Sequence, residues 1–246
     1  MKGKLHVVGF GPGGKEHMTF KAAEAIQNAD VVTGYTTYVN LMKPIFPDKV
    51  YKATGMMKEV ERCRMAIEDA MTGMDVAMIS SGDSGIYGMA GIIYELADDM
   101  GADIDIDVVP GITAASTAAS ILGAPLMHDL AIISLSDLMT PLDLIMKRVD
   151  CAGQGDMIVC LYNPKSKTRT EYLDRAREIL LKYRKPETPV GIVRNAGRSD
   201  EKSIVTTLGE LDKADVDMFS IVIIGNSQTY VSKGRMITPR GYDYKE

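Results

Sequence analysis

Short aliphatic and β-branched runs alternate along this chain with longer segments whose apolar positions recur every three to four residues. Lys4–Gly9 (KLHVVG) reads as a strand that ends in glycines. Thr19 stands as the N-cap of a helix over Phe20–Asn28, and Val31–Thr33 follows as a second short strand. Val60, Cys63, Ile67 and Met71 recur at helical spacing, with Lys58, Glu61 and Glu68 on the opposite side. A strand over Asp75–Ser80, a helix near Met89–Ala97 and a strand over Asp105–Val109 complete this first series.

The second series opens after Pro110-Gly111 with an alanine-rich helix, Ala114–Leu122. Strand Ala131–Leu135, helix Leu142–Val149, strand Asp156–Tyr162 and a long helix over Arg169–Tyr183 come next. Pro189–Val193, Ser203–Thr207 and Phe219–Ile224 close the set as strands, the last two joined by a short helical turn. Strands alternating with helices imply sheets that are mostly parallel and covered on both faces. The closing strands make the second sheet more mixed. The expected fold is therefore α/β, with an N-terminal domain over residues 1–115 and a C-terminal domain over 116–246.

Composition narrows the picture. The 246 residues are 46% hydrophobic and 25% charged, as an ordinary globular chain is, and length alone allows one large or two modest domains. A formal net charge of −5 disfavours a protein that grips nucleic-acid phosphates. No apolar run is long enough to span a membrane, and no signal peptide precedes the first strand, so a cytoplasmic location is expected. The three cysteines form no C-x-x-C, which argues against a metal site or a disulfide framework.

Polar, glycine-rich segments fall at strand ends: Gly9–Gly14, Ser80–Gly85, Pro110–Ala114, Tyr162–Lys167 and Arg194–Gly197. In open α/β sheets this edge is where ligands bind. Gly9-Phe10-Gly11-Pro12-Gly13-Gly14 satisfies G-x-G-x-x-G, yet the dinucleotide reading fails on context. That fingerprint needs a helix opening at its third glycine, so that free N–H groups meet pyrophosphate. Here Pro12 removes an N–H, the helical pattern begins only near Thr19, and Asp30 precedes the second strand instead of ending it. Close approach of main chain to a small ligand is the preferred reading. Ser80-Ser81-Gly82-Asp83-Ser84-Gly85-Ile86-Tyr87-Gly88 follows a strand directly and can present main-chain groups and one carboxylate to a ligand.

These motifs together resemble the tetrapyrrole methylase family over nearly the whole chain. The likeness rests on VVGFGPG, SSGDSGIYG, VVPGITAAS, LYNPKSKTR and TPVGIVRNAGR. Ile133–Pro141 (ISLSDLMTP), Tyr162–Arg169 (YNPKSKTR) and Thr238–Tyr242 (TPRGY) look most like the branch that methylates C17 of a precorrin-3-type ring, with ring contraction, in cobalamin construction. Ser84 stands where that family usually has proline, and Leu142 where it has tryptophan. The resemblance implies S-adenosylmethionine as cofactor, S-adenosylhomocysteine as product, and a cofactor cleft between two α/β domains. It also implies a tetrapyrrole substrate with or without cobalt, and a homodimer. Matched by motif, it implies cofactor contacts from Pro12, Gly82, Asp83, Ile86, Thr113, Ala114, Tyr162 and Ala196.

Methyl transfer from a sulfonium needs near-attack geometry more than a nucleophile on the protein. Ring contraction could use general acid–base help, for which Ser134, Ser136 and Asp137 are candidates by position. An acidic protein must attract a polycarboxylate substrate locally. Lys165, Lys167 and Arg169, and Arg194, Arg198 and Lys202, form two cation clusters, of which Lys165, Arg169 and Arg194 are the expected substrate contacts. His128 could bind substrate cobalt or shuttle a proton, but a hydrogen-bonded loop histidine is the plainer reading. Cys63 and Cys160 read as core residues, and the 17 methionines mostly as core filler. Two alternatives stay open: a sister methylase acting at another ring carbon, and a nucleotide-binding module without catalysis.

Overall fold

The computed structural model describes residues 2–243. The chain forms two compact units that divide between Ala114 and Ala115.

The first unit contains β1 (Lys4–Gly9), α1 (Phe20–Asn28), β2 (Val31–Tyr35), α2 (Thr36–Met42), β3 (Val50–Thr54), α3 (Glu59–Met71), β4 (Asp75–Ser80), α4 (Ala90–Asp99) and β5 (Asp105–Val109). Its five strands run in the order β3-β2-β4-β1-β5, and every pair is parallel. Strand periodicity sends alternate side chains to opposite faces. Val76 and Met78 of β4 join a core under α3 and α4, while Ala77 and Ile79 join a second core under α1 and α2. Helix α1 starts as its cap predicts, with Thr19 Oγ1 accepting the Ala22 N–H.

The second unit contains α5 (Ala114–Leu122), β6 (Gly123–Ala124), β7 (Leu130–Ser134), α6 (Leu142–Gln154), β8 (Ile158–Tyr162), α7 (Tyr172–Leu180), β9 (Pro189–Arg194), β10 (Lys202–Thr207), β11 (Ser220–Ile224), β12 (Tyr230–Ser232) and β13 (Arg235–Ile237). Five of its strands form a mixed sheet in the order β10-β9-β11-β8-β7. Only β7 and β8 pair parallel in it; the other three pairs are antiparallel. Leu161, Val190, Ile192 and Val222 face a core shared with α6 and α7. Gly191 gives α5 its seat, because a Cβ there would lie 2.3 Å from Leu122 Cδ1. A small sheet of β12, β13 and β6 completes the unit.

β10 and β11, joined by a short helical turn as expected, flank β9 on either side. Three sequence expectations need correction. α7 starts at Tyr172, not Arg169, because residues 166–169 close a turn through Ser166 N–H to Arg169 O. Val60 and Met71 stand more than half exposed, since α3 buries the narrower face of Arg62, Cys63, Ala66, Ile67 and Ala70. Methionine is not mainly core filler: among the described residues eight methionines are exposed, Met57 and Met139 most of all, and four are buried. Among the described residues no helix is long and apolar enough to cross a membrane.

Candidate active site

In the first unit the carboxyl ends of β4, β1 and β5 lie side by side, with Gly9 in register with Ser80 and Val8 with Val109. The loops that leave these three strands are tied together by main chain. Phe10 N–H donates to Ser80 O at 3.0 Å, Gly11 N–H to Gly82 O at 3.0 Å, and Gly82 N–H to Gly11 O at 2.8 Å. Several glycines make that approach sterically allowed. A Cβ on Gly9 would lie 2.7 Å from Gly82 O, and one on Gly111 would lie 2.2 Å from Gly82 O and 2.4 Å from Gly9 O. Gly82 differs: its φ of +72° needs glycine, but a Cβ there would meet only Ala114 N, at 3.9 Å. The first glycine motif therefore braces its neighbours, and at Gly82 the side-chain position alone is uncrowded. No helix opens at the third glycine of the first motif, since Lys15–His17 is one 3-10 turn and α1 begins at Phe20.

Asp83 organises the second loop. Its Oδ1 accepts Gly85 N–H at 2.8 Å and Ile86 N–H at 3.1 Å, and its Oδ2 accepts Gly111 N–H at 3.0 Å. Three amide donors on one carboxylate fix both loops and leave Gly85 and Ile86 exposed on the surface. Ser84, where the resemblance leads one to expect proline, is fully buried and donates its hydroxyl to Val109 O at 3.1 Å. Pro12 is buried, whereas Thr113 and Ala114 are half-buried at the end of the Pro110–Ala114 loop.

In the second unit the carboxyl ends of β7, β8 and β9 share one edge with the first residues of β10 and β11. Tyr162 ends β8, and its hydroxyl accepts the Ala115 N–H at 2.8 Å, satisfying an amide in the first turn of α5. Asn163 and Asn195 follow β8 and β9 directly, both in the left-handed region with φ of 51° and 52°. Asn163 turns back so that its Nδ2 donates to Ser134 Oγ at 3.0 Å, and Ser136 N–H donates to the same oxygen at 3.2 Å. Asp137 Oδ2 accepts the Tyr172 hydroxyl at 2.7 Å, which pushes the Tyr172 phenol up from its ordinary value. The 134–137 turn and the 162–169 loop thus form one polar cluster.

The cations divide into two groups. Arg169 donates to Leu135 O at 2.9 Å and Asn163 O at 3.4 Å, and its Nε lies 3.8 Å from Asp137 Oδ1. It ties two loops together where a rim cation was expected. Arg194 pairs with Asp217 at 2.9 Å. Lys165 and Lys167 have no ion-pair partner among the described residues. Ala196 sits half-buried in the loop after β9, beside Gly197, whose N–H donates to Glu201 at 2.7 Å. His128 lies apart: it precedes β7, whose five residues put about 13 Å of strand between Leu130 and Ser134. Its Nε2 is buried without a hydrogen-bond partner, so the plainer expectation of a hydrogen-bonded ring does not hold at that atom. Among the described residues no group of three or more histidine, cysteine or acidic side chains could hold a metal ion.

Sequence reasoning missed Asn163, Tyr172 and Asp217. An asparagine before proline at a strand end was a readable signal for Asn163. Nothing local marked the other two, which matter through partners 35 and 23 residues away.

The first unit carries glycine-braced loops at the carboxyl ends of parallel strands, and the second carries a polar serine–aspartate cluster at its own strand ends, as in an α/β enzyme. The chain belongs to the tetrapyrrole (corrin/porphyrin) methylase family, whose pattern matches residues 4–212, and it is a methyltransferase. It is 52% identical over 238 residues to a probable cobalt-factor III C(17)-methyltransferase of Salmonella typhimurium, covering 97% of this chain and 99% of that one. Among solved structures, the methyltransferase CobJ superposes with a TM-score of 0.89 at 32% identity, covering 96% of this chain and 100% of that one. A uroporphyrin-III C-methyl transferase from Thermus thermophilus, complexed with S-adenyl homocysteine, shares the fold with a TM-score of 0.69 at 22% identity, covering 91% of this chain and 97% of that one.

Proposed function

We propose that the protein transfers a methyl group from S-adenosylmethionine to C17 of cobalt-factor III or a closely similar precorrin-3-type ring, with ring contraction, in cobalamin biosynthesis. The observation that carries this reading is full-length identity of 52% to a relative that bears that name. The geometry suits such a ligand. A Cβ at Gly82 would meet only Ala114 N, at 3.9 Å, and Gly85 and Ile86 are exposed in the same loop. Pro12, Gly82, Asp83, Ile86, Thr113 and Ala114 are the proposed cofactor contacts of the first unit, with Tyr162 and Ala196 from the second. Asp83 would act mainly by holding its loop, because its oxygens already accept three amides.

When bound, S-adenosylmethionine supplies an electrophilic methyl on sulfur. This chain's residues hold a ring carbon in line with it, which can contribute about 7–11 kcal/mol of the barrier. Ser134, Ser136 and Asp137 are the proposed polar groups beside the substrate. Lys165 is the foremost candidate for a substrate carboxylate, with Arg194 second because Asp217 already neutralises it. Arg169 would serve by holding the loop that carries Lys165. We also propose a homodimer, so sedimentation should give about twice the chain mass of 26.8 kDa; a monomer at micromolar concentration overturns that part.

The test of function is incubation of purified protein with cobalt-factor III and methyl-labelled cofactor, followed by mass spectrometry. One label on the ring at C17 is expected. Cofactor binding without transfer, or label at another carbon, would overturn the reading.

A further inference from the structure

Within the 134–137 turn, Asp137 has the one side chain basic enough to take up a proton. Its carboxylate offers about four acceptor positions and no donor. Tyr172 donates its hydroxyl to Oδ2 at 2.7 Å. Oδ1 accepts no hydrogen bond among the described residues, since Arg169 Nε stands 3.8 Å away, and the side chain is 33% exposed. One oxygen is committed and the other is left for a ligand. We infer that Asp137 is the base that takes a proton from the substrate through Oδ1, and that Tyr172 is the positioning residue that holds the carboxylate for this task.

The surroundings hold the carboxylate from two sides. The Tyr172 ring packs on the core shared by α6 and α7, so its hydroxyl stands on a rigid support. Leu135 anchors the turn: it is fully buried and donates its N–H to Tyr162 O at 2.9 Å. Arg169 spends its Nη1 on the carbonyls of Leu135 and Asn163, which keeps its charge near Oδ1 without occupying that oxygen. A base must be ionised to act, and a hydrogen-bond donor and a cation are the partners that suit a negative charge. Among the described residues, the charged and titratable groups set against Asp137 are Arg169 and Tyr172, with Arg175 acting on Tyr172 from one turn further along α7. The reaction has work for such a base. The ring carbon that receives the methyl forms the new bond with its own electron pair, while the pair of the broken C–S bond stays on sulfur. The ring therefore gains one positive charge, and loss of one proton to Oδ1 restores its charge.

The inference rests on the proposed function and on the 134–137 turn lying beside the substrate. Single-turnover rates with cobalt-factor III, measured across pH, test it. A positioned base contributes about 10²–10⁴-fold, so Asp137→Asn should lower the rate by at least about a hundredfold. Affinity for S-adenosylhomocysteine and the melting temperature should change little. The wild-type rate should fall on the acid side, as protonation removes the base. Tyr172→Phe should keep most of the rate at high pH and move this acid limb up by about 1–2 pH units, because a hydrogen bond to a charged group is lost. A purely structural Tyr172 would lower the melting temperature and leave the limb where it is. Adding Tyr172→Phe to Asp137→Asn should cost little further, because both act through one carboxylate. Ultraviolet titration of the free protein needs no substrate. The tyrosine signal that Tyr172→Phe removes should ionise at lower pH in Asp137→Asn than in wild type, since Asp137 holds that phenol up.

A wild-type rate in Asp137→Asn, an acid limb that Tyr172→Phe leaves in place, additive losses in the double variant, or an unmoved tyrosine titration would each overturn the inference. Should Asp137→Asn fail to fold, the pH profile of Tyr172→Phe decides alone. If wild-type protein itself fails to methylate cobalt-factor III, the proposed function fails instead.

Discussion

At the scale of single residues, polar side chains in this protein act mainly on its own backbone. Asp83 is the clearest case. A charged acceptor contributes about 1.5–3 kcal/mol per hydrogen bond, and this carboxylate has three amide partners in two loops. Asp83→Ala should therefore weaken cofactor binding by at least about tenfold through loop disorder. Asp83→Asn should do nearly as badly, because its NH₂ would confront an N–H. Calorimetry with S-adenosylhomocysteine, giving wild-type affinity for both, would show that the loop holds without it. The cysteines supply a second prediction. Burial pushes the Cys63 thiol up to about 11 and the Cys160 thiol up to about 12, while Cys151 is exposed. A thiol reagent should modify one cysteine in the native protein and three after denaturation. Both buried groups are raised above their ordinary 9.0, so their contribution is complete below pH 9 and is lost as pH climbs towards 11 and 12. Denaturant midpoints should fall between pH 8 and pH 10.5, less steeply in a Cys63→Ala/Cys160→Ala protein.

At the scale of elements, the sequence pattern resolved strands and helices that bury a regular face and missed those that do not. β1, α1, β4, β5 and α5 match the expected ranges residue for residue, since each pairs a clean period with a readable start or stop. α2 (TTYVNLM) is rich in β-branched residues and carries no side-chain cap bond, and β3 (VYKAT) fully buries only Thr54. Their placement is set by tertiary neighbours, so local pattern could not reveal them. The site divides in the same way. Glycine loops were visible, but Arg169's inward role depends on carbonyls at Leu135 and Asn163. Two helical glycines give a paired prediction. A Cβ on Gly91 in α4 meets nothing within 4 Å, whereas one on Gly153 in α6 would lie 2.6 Å from the Tyr183 ring. Gly91→Ala should raise stability by about 0.5–1 kcal/mol, and Gly153→Ala should lower it by about 1–3 kcal/mol. Equal melting shifts for the two would contradict this packing.

At the scale of the whole molecule, the two units reach their sheets by different routes. The second builds most of its sheet from antiparallel pairs, of which β9 and β10 follow each other directly in sequence. The first places β1 at the inner position between β4 and β5, so that Lys4 pairs with Asp75 and with Asp105. Chains emerge from the ribosome at about 5–20 residues per second. The aliphatic run of β1 must then wait about 5–20 seconds after its own synthesis before its last partner exists, since 101 residues separate Lys4 from Asp105. Until β4 is made β1 has neither neighbour, and until β5 is made one of its edges stays unpaired. The cell's need for a holding chaperone should therefore fall on the interval from β1 to β5 and should ease once Val109 has cleared the exit tunnel. Ribosome profiling of chaperone-bound nascent chains would locate that release point.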